Sequence, residues 1–268
     1  MRGGAYVHGY SASESARLGD QASTLTDLLH ADTSYPAGSR VLEAGCGVGA
    51  QTVILAARSP AAAFTSIDVS AESLAQAERR VGEAGLANVT LQRADILDLR
   101  FGSEQFDHVF LCFVLEHLRD PAAALQSVRE VLMPGGSITV IEGDHGSAYF
   151  HPDSEAARGA IECLVELQRR AGGNALIGRQ VYPLLVRAGY RDVRVSPRLV
   201  YVDGSRPDLV DGFTRKTFTA MVEGVGEEGL GQGLMDAASW EAGIRDLYRT
   251  AAEDGTFCYT FFKGLAVR

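Results

Sequence analysis

The glycine-rich stretch GCGVG at residues 45–49 most constrains the fold of this chain. It follows a short apolar run at residues 40–44 and precedes a helical run at residues 51–58. Glycines at a strand-to-helix turn let the backbone approach a ligand closely, and the N-terminus of the following helix offers free N–H groups. The stretch therefore predicts the first turn of a parallel β-α-β unit, with a ligand bound at that turn.

Apolar runs and helical stretches alternate through the first half of the chain, which is typical of a parallel sheet covered by helices on both faces. Strands are predicted at 40–44, 63–68, 88–93, 106–113 and 137–142, with helices at 51–58, 71–84 and 121–132. Residues 133–136 (MPGG) predict a sharp turn into the fifth strand. Residues 154–171 and 177–188 predict two further helices, and residues 190–202 and 256–267 predict two long strands.

These elements predict an α/β fold, a Rossmann-like, doubly wound and mostly parallel seven-stranded sheet. Residues 1–38 are interpreted as an N-terminal helical cap over a cofactor, and residues 39–202 with 256–268 as the core. Residues 203–255 form a helical insertion before the last strand. An insertion of that length is more often a binding element than a passive connection, so we expect it to act as a lid over the substrate.

Composition excludes several partners and sites. The net charge of −9 argues against a nucleic-acid partner, because phosphate binding needs a basic patch. The four cysteines are scattered without metal-ligand spacing, so no metal site is expected. No signal-peptide core and no run near the roughly 20 apolar residues of a membrane span is present, which predicts a cytoplasmic protein without a membrane partner.

The glycine motif alone leaves two cofactors open. Gly45-x-Gly47-x-x-Ala50 fits the dinucleotide fingerprint, and Asp68 lies near the distance expected for a ribose-binding carboxylate. An NAD(P)-dependent oxidoreductase is therefore one alternative. Glu43 favours another cofactor, because a carboxylate two residues before the first glycine suits a pyrophosphate poorly. It can instead organise the loop and pair with an ammonium group.

Five short motifs resemble, in order, those of class I S-adenosylmethionine-dependent methyltransferases of the ubiquinone/menaquinone-biosynthesis type, which includes many natural-product enzymes. They are EAGCGVG at 43–49, ID at 67–68, ADI at 94–96, VLEHL at 114–118 and LMPGG at 132–136. The resemblance implies S-adenosylmethionine as cofactor, S-adenosylhomocysteine as product, and methyl transfer to a small, aromatic or heteroaromatic metabolite of secondary metabolism. A cofactor-binding protein without transfer activity is the third alternative. A homodimer is compatible with the sequence.

The resemblance also assigns cofactor contacts by position. The glycines would pass beneath the methionine part, Asp68 would accept hydrogen bonds from the ribose hydroxyls, and Asp95 would take the adenine amino group, with Ile96 on the ring. Cys112 and Phe113 would border the methionine part or pack in the core. The cofactor residues carried over are Tyr10, Arg17, Glu43, Ala44, Gly45, Gly47, Gly49, Asp68, Val69, Asp95, Ile96, Cys112, Phe113 and His117.

Candidate catalytic residues lie where strands end, because ligands in open α/β sheets bind at the carboxyl edge. A base is needed only if the acceptor must lose a proton, and imidazole suits that role. His145 is the leading candidate, followed by His117, which is alternatively part of the adenine pocket, and by Tyr10. The sequence leaves the acceptor atom open among carbon, oxygen and nitrogen. Aromatic residues after 200 either line the substrate pocket or form ordinary core.

Overall fold

The computed structural model describes residues 21–22, 24–103 and 105–268. Its seven strands are β1 Arg40–Ala44, β2 Ala63–Asp68, β3 Val89–Arg93, β4 Phe106–Cys112, β5 Leu132–His151, β6 Arg191–Val202 and β7 Thr256–Val267. They form one sheet in the order β3-β2-β1-β4-β5-β7-β6. The neighbours from β3 to β5 pair in parallel, whereas β7 is antiparallel to both β5 and β6. The predicted mostly parallel, seven-stranded Rossmann-like sheet is confirmed.

The helices follow the predicted alternation closely. They are α1 (residues 24–30), α2 Ala50–Arg58, α3 Ala71–Glu83, α4 Pro121–Val131, α5 Glu155–Ala171, α6 Val181–Arg187, α7 Pro207–Leu209, α8 Ala220–Glu223, α9 Gly226–Gly231 and α10 Ala237–Arg249. Single 3-10 turns cover Leu115–His117 and Ile177–Gln180, and a π-helix covers Val210–Thr219. Side-chain caps fix several starts: Ser70, Asp120 and Ser154 each accept a backbone N–H of the helix that follows.

Two apolar clusters cover the two faces of the sheet. Neighbouring residues of a strand point to opposite faces. Val41 and Ile141 accordingly belong to one cluster, whereas Leu42 and Val140 belong to the other. Residues from α5 and the insertion pack in the first cluster, and residues from α4 and α6 pack in the second. This two-sided burial explains why the central strands are nearly continuous apolar runs.

Strand β5 is longer than the sequence predicts, and here the prediction was wrong. The predicted turn at 133–136 lies inside β5 as an irregularity, where the pairing with β4 shifts between Phe106 and His108. Beyond residue 142 the strand continues to His151, because β7 supplies an antiparallel partner with one further shift between Asp144 and Tyr149. His145 therefore lies within a strand rather than in a loop after it.

The insertion at 203–255 packs against both the sheet and α1. Phe213 and Phe218 of the π-helix contact Tyr259 of β7, with ring centroids 5.8 and 5.4 Å apart. Gly212 lies so close to Thr24 of α1 that an added Cβ would overlap with the threonine side chain. The insertion thus covers the extension of β5 and β7. Within the described residues, no helix is both long and apolar enough to cross a membrane.

Candidate active site

The glycine loop between β1 and α2 has a conformation that only glycine adopts easily. Gly45, Gly47 and Gly49 have φ values of +79°, +53° and +77°. A Cβ on Gly45 would lie 2.5 Å from Val114 Cγ2, and one on Gly49 would lie 2.9 Å from Ala77 Cβ. A Cβ on Gly47 would meet nothing within 4 Å. Packing contacts therefore require glycine at positions 45 and 49, whereas Gly47 borders space that a ligand can use.

Asp68, the last residue of β2, faces this loop. Its Oδ2 accepts the Gly47 N–H at 2.9 Å, and its Oδ1 accepts the Ser70 N–H at 2.9 Å. A carboxylate has about four acceptor positions, so it keeps capacity for further donors such as hydroxyls. Val69 follows Asp68 in the chain and lies beside the loop that borders open space. It is 51% exposed, which is an unusual value for an apolar side chain.

The segment after β3 lies beside the end of β2, because the Ala94 N–H donates to the Asp68 carbonyl at 3.1 Å. Asp95 is exposed, and its Oδ1 accepts the Leu97 N–H at 2.9 Å. Ile96 is buried in the second apolar cluster, whereas Leu97 is 49% exposed. Leu97 is thus an apolar surface near Asp68 that the sequence motif does not single out.

Glu43 is buried beneath the loop, and its neighbour Ala44 is fully buried at the end of β1. Its Oε2 accepts the Thr52 and Ser66 hydroxyls, each at 2.7 Å. Burial raises the pKa of Glu43 to about 7. The carboxyl group therefore ties α2 to β2 and organises the loop. Pairing of Glu43 with an ammonium group stays a prediction.

The end of β4 combines burial with backbone strain. Cys112 is 9% exposed, and burial raises the pKa of its thiol well above the usual range, so the thiol keeps its proton. Phe113 has φ +58°, a value that residues with a side chain rarely adopt outside functional sites. Its ring packs 5.4 Å from that of Phe261. Both residues contact the first apolar cluster, as the core interpretation expects.

Two carboxyl groups, those of Glu142 and Glu116, are buried near the 3-10 turn Leu115–His117. Glu142 Oε1 accepts the backbone N–H groups of Val114 and Leu115 at 3.0 and 2.7 Å. Glu116 Oε2 accepts the Gln168 side-chain amide at 3.2 Å. Burial and the nearby Glu116 together raise the pKa of Glu142 well above its usual range.

His117 ends the 3-10 turn, and its Nε2 lies 3.6 Å from Glu116 Oε1. It therefore precedes α4, which begins at Pro121, rather than starting that helix. The carboxylate neighbour, at the carboxyl edge of the sheet, is compatible with both predicted roles of His117.

Asp144 and His145 are adjacent in β5 but have different partners. Arg179 donates from Nε and Nη2 to the two Asp144 oxygens, at 2.6 and 2.8 Å. His145 is 5% exposed, and its Nδ1 lies 2.7 Å from the Tyr259 hydroxyl. The ring of Phe218 lies 6.1 Å from the His145 ring. The two hydrogen bonds from Arg179 fix the strand at Asp144, while Tyr259 and Phe218 fix the orientation of the His145 imidazole.

Comparisons with known proteins find a methyltransferase domain within the chain. Residues 41–136 match the model of a family described as "Methyltransferase domain". The chain is 33% identical over 222 residues to an uncharacterized 37.1 kDa protein in transposon TN4556 of Streptomyces fradiae, covering 82% of this chain and 61% of that protein. It is 31% identical to 27-O-demethylrifamycin SV methyltransferase of Amycolatopsis mediterranei, over 50% of this chain and 49% of that enzyme. The comparisons therefore support a class I S-adenosylmethionine-dependent methyltransferase domain over residues 41–136.

Solved structures share the fold of this chain. The YcgJ protein of Bacillus subtilis superposes with a TM-score of 0.58 at 16% identity, covering 95% of this chain and 98% of that one. The comparisons support S-adenosylmethionine as the cofactor and give no support to the oxidoreductase alternative. The chain spans 61% of the first curated relative and 35% and 49% of the next two.

One structural observation is compatible with a cofactor at the glycine loop. Gly47, whose N–H donates to Asp68 Oδ2, borders open space at the position of an added Cβ. Tyr10 and Arg17, predicted to close over the cofactor, lie outside the described residues.

Helix α1 is fixed at two points near its C-terminal end. His30 is fully buried with its Nε2 2.6 Å from Gln51 Oε1 of α2, and burial lowers its pKa to about 4. Lys263 of β7 is buried, and its Nζ donates to the Leu29 carbonyl, Asp32 Oδ1 and Thr33 Oγ1 at 3.0, 2.6 and 2.5 Å. Helix α1 is therefore held against both the glycine-loop helix and the sheet.

Proposed function

We propose that this protein transfers the methyl group of S-adenosylmethionine to a small metabolite that binds beneath the insertion, beside His145. The observation that carries the proposal is the position of His145 in the extension of β5, oriented by Tyr259 and covered by Phe218. Relatives named as 27-O-demethylrifamycin SV methyltransferase and (S)-coclaurine N-methyltransferase support a small-molecule acceptor.

On the cofactor side, the chain supplies shape and hydrogen-bond acceptors. The loop around Gly47 would lie under the methionine part, Asp68 would bind the ribose hydroxyls, and Asp95 would bind the adenine amino group, beside Val69 and Leu97. The bound cofactor supplies an electrophilic methyl group on its sulfonium. The protein then has to position the acceptor and exclude water from the site.

On the acceptor side, His145 is proposed to orient the acceptor or to take its proton. Burial raises the pKa of Tyr259, so its hydroxyl keeps its proton and holds the imidazole in place. The rings of Phe218 and Tyr259 are fully buried and pack on each other, so they form an apolar wall behind the imidazole. Asp144 already forms an ion pair with Arg179. His145 is therefore the side chain at this place in β5 that we propose to act on the acceptor.

Binding is tested first. S-adenosylhomocysteine should raise the melting temperature of the protein, because a ligand that binds only the folded state stabilises it. NAD and NADP serve as the matched comparison and should not raise it. Stabilisation by NAD without any response to S-adenosylhomocysteine would overturn the proposal.

Transfer is tested with a panel of phenols, indoles, amines and macrolide-like hydroxyl compounds, by measuring S-adenosylhomocysteine release. With an acceptor that must lose a proton, His145→Ala should slow single-turnover methyl transfer by about 10²–10⁴-fold, the usual contribution of general acid–base catalysis. Affinity for S-adenosylhomocysteine should stay unchanged. His151→Ala is the matched control, because His151 is an exposed histidine of the same strand. A His145→Ala rate equal to wild type would remove His145 from the site.

A further inference from the structure

The turn after β4 receives its cap from another strand. Its first N–H groups, those of Val114 and Leu115, both donate to Oε1 of Glu142 in β5. The first N–H groups of a helical turn have no partner within the turn, so a buried turn needs an acceptor from elsewhere. Glu142 is fully buried, which makes its carboxyl group an internal part of this turn.

The same turn forms one wall of the glycine loop. Val114 Cγ2 lies 2.5 Å from the place where a Cβ on Gly45 would stand, so the valine and the loop are in direct contact. The turn begins with the strained backbone of Phe113, whose N–H donates to the Ile141 carbonyl at 2.9 Å. A strained conformation persists only when its surroundings hold it. Loss of the cap would therefore shift Val114 relative to Gly45.

The groups around Glu142 decide in which charge state it caps the turn. Titratable groups near it include Glu116 of the turn, Cys112 of β4 and Tyr259 of β7, and His117 Nε2 lies 3.6 Å from Glu116 Oε1. Burial together with Glu116 raises the pKa of Glu142. A protonated carboxyl group still accepts hydrogen bonds on its carbonyl oxygen. Ionisation would instead place a second negative charge beside Glu116.

We propose that Glu142 is a positioning residue that holds the turn Phe113–Leu115 against the glycine loop and thereby sets the affinity of the cofactor site. The inference rests on the proposed binding of cofactor at this loop. Glu142 acts through Val114 and Leu115, whose backbone groups it holds, and needs no contact with the reacting atoms.

Two substitutions test the proposal. Glu142→Gln keeps an oxygen acceptor for both N–H groups and has the charge of the protonated acid, so its Kd for S-adenosylhomocysteine at pH 7 should stay within about 3-fold of wild type. Glu142→Met has a similar shape but no comparable acceptor, so its Kd should rise by about 10-fold or more. Glu162→Gln, on the exposed face of α5, is the surface control.

The pH profile separates this role from a purely structural one. As the pH rises through the raised pKa of Glu142, affinity of the wild type for S-adenosylhomocysteine should fall relative to that of Glu142→Gln, because only the wild type gains the buried charge. Wild-type affinity in Glu142→Met, or equally weak binding in both variants, would overturn the proposal. If Glu142→Met does not fold, the ratio of the Kd values of wild type and Glu142→Gln for S-adenosylhomocysteine still tests the proposal. A ratio that does not change with pH refutes it.

A measurement without cofactor separates failure of this inference from failure of the proposed function. Hydrogen exchange at the Val114 and Leu115 amides should accelerate in Glu142→Met and stay slow in Glu142→Gln. Slow exchange in both variants would refute the cap even if cofactor binds. Fast exchange in Glu142→Met alone, with no S-adenosylhomocysteine binding in the wild type, would overturn the proposed function and the link to affinity while leaving the cap in place.

Discussion

Acidification should weaken the attachment of α1 through His30. The ring is fully buried, and burial lowers its pKa from an ordinary 6.5 to about 4. The folded state therefore prefers the neutral imidazole. In the unfolded chain the imidazole binds a proton below about pH 6.5, whereas in the folded chain it does so only below about pH 4. The contribution of the neutral, buried His30 to stability is therefore complete above pH 6.5 and is lost as the pH falls towards 4.

The size of the effect follows from the two pKa values. At 1.36 kcal/mol per pKa unit, the whole contribution is about 3 kcal/mol, and about 1.3 kcal/mol of it is lost between pH 7.5 and 5.5. Glu43 works in the opposite direction: its pKa, raised from 4.5 to about 7, makes the folded state less stable as the pH rises through that range. The effect of His30 must therefore be measured as a difference between variants.

The assay compares wild type with His30→Gln by urea denaturation at pH 7.5, 6.5 and 5.5. A glutamine at this position can still donate to Gln51 Oε1 but does not titrate. The free energy of unfolding of the wild type, minus that of His30→Gln, should fall by about 1.3 kcal/mol from pH 7.5 to 5.5. His151→Gln, at an exposed histidine, is the matched control. A difference that stays constant with pH would refute the reasoning about burial.

Three other substitutions test the site and its supports. Asp68→Ala should weaken S-adenosylhomocysteine binding by about 10- to 150-fold in calorimetry, the loss of hydrogen bonds to a charged acceptor, and an unchanged Kd would contradict its role. Gly143→Ala would force a Cβ into the Tyr259 hydroxyl, so it should lower the free energy of unfolding by about 1–3 kcal/mol, and by less in a Tyr259→Phe background. Equal losses in both backgrounds would exclude that clash. Lys263→Met removes the donor to the Leu29 carbonyl and should cost about 2–4 kcal/mol in urea unfolding, whereas a loss below about 1 kcal/mol would show the lysine to be dispensable.

The first half of the fold was predictable because local signals and global packing agree there. The turn at residues 45–49 follows directly on a buried strand, and the helices α3 and α4 start with recognisable caps, Ser70 and Asp120. The prediction failed at β5, where Gly135 suggests a turn. The length of that strand is set by its pairing with β7, more than a hundred residues later, and no local pattern reports such a partner.

The residues of the candidate site also divide into those that the local sequence predicts and those that depend on a distant part of the chain. The place of Asp68 beside the glycine loop was predictable because it lies at a fixed distance after the loop, within one β-α-β unit. Tyr259 and Arg179 were missed, because each lies far along the chain from the residue in β5 that it binds. Tyr259 lies in an apolar strand and has the pattern of an ordinary core residue. Its polar role comes from the bend in β5 that brings His145 opposite it.

The place of β7 has a consequence for how the protein is made. β7 lies between β5 and β6 and is the only described neighbour of β6, yet it is synthesised after every other strand of the sheet. Until it emerges from the ribosome, β5 keeps an unpaired edge and β6 has no sheet to join. His145 likewise lacks Tyr259, and α1 lacks Lys263. A nascent chain that stops before residue 256 therefore already has the glycine loop but exposes an open strand edge, the kind of surface that recruits chaperones or aggregates.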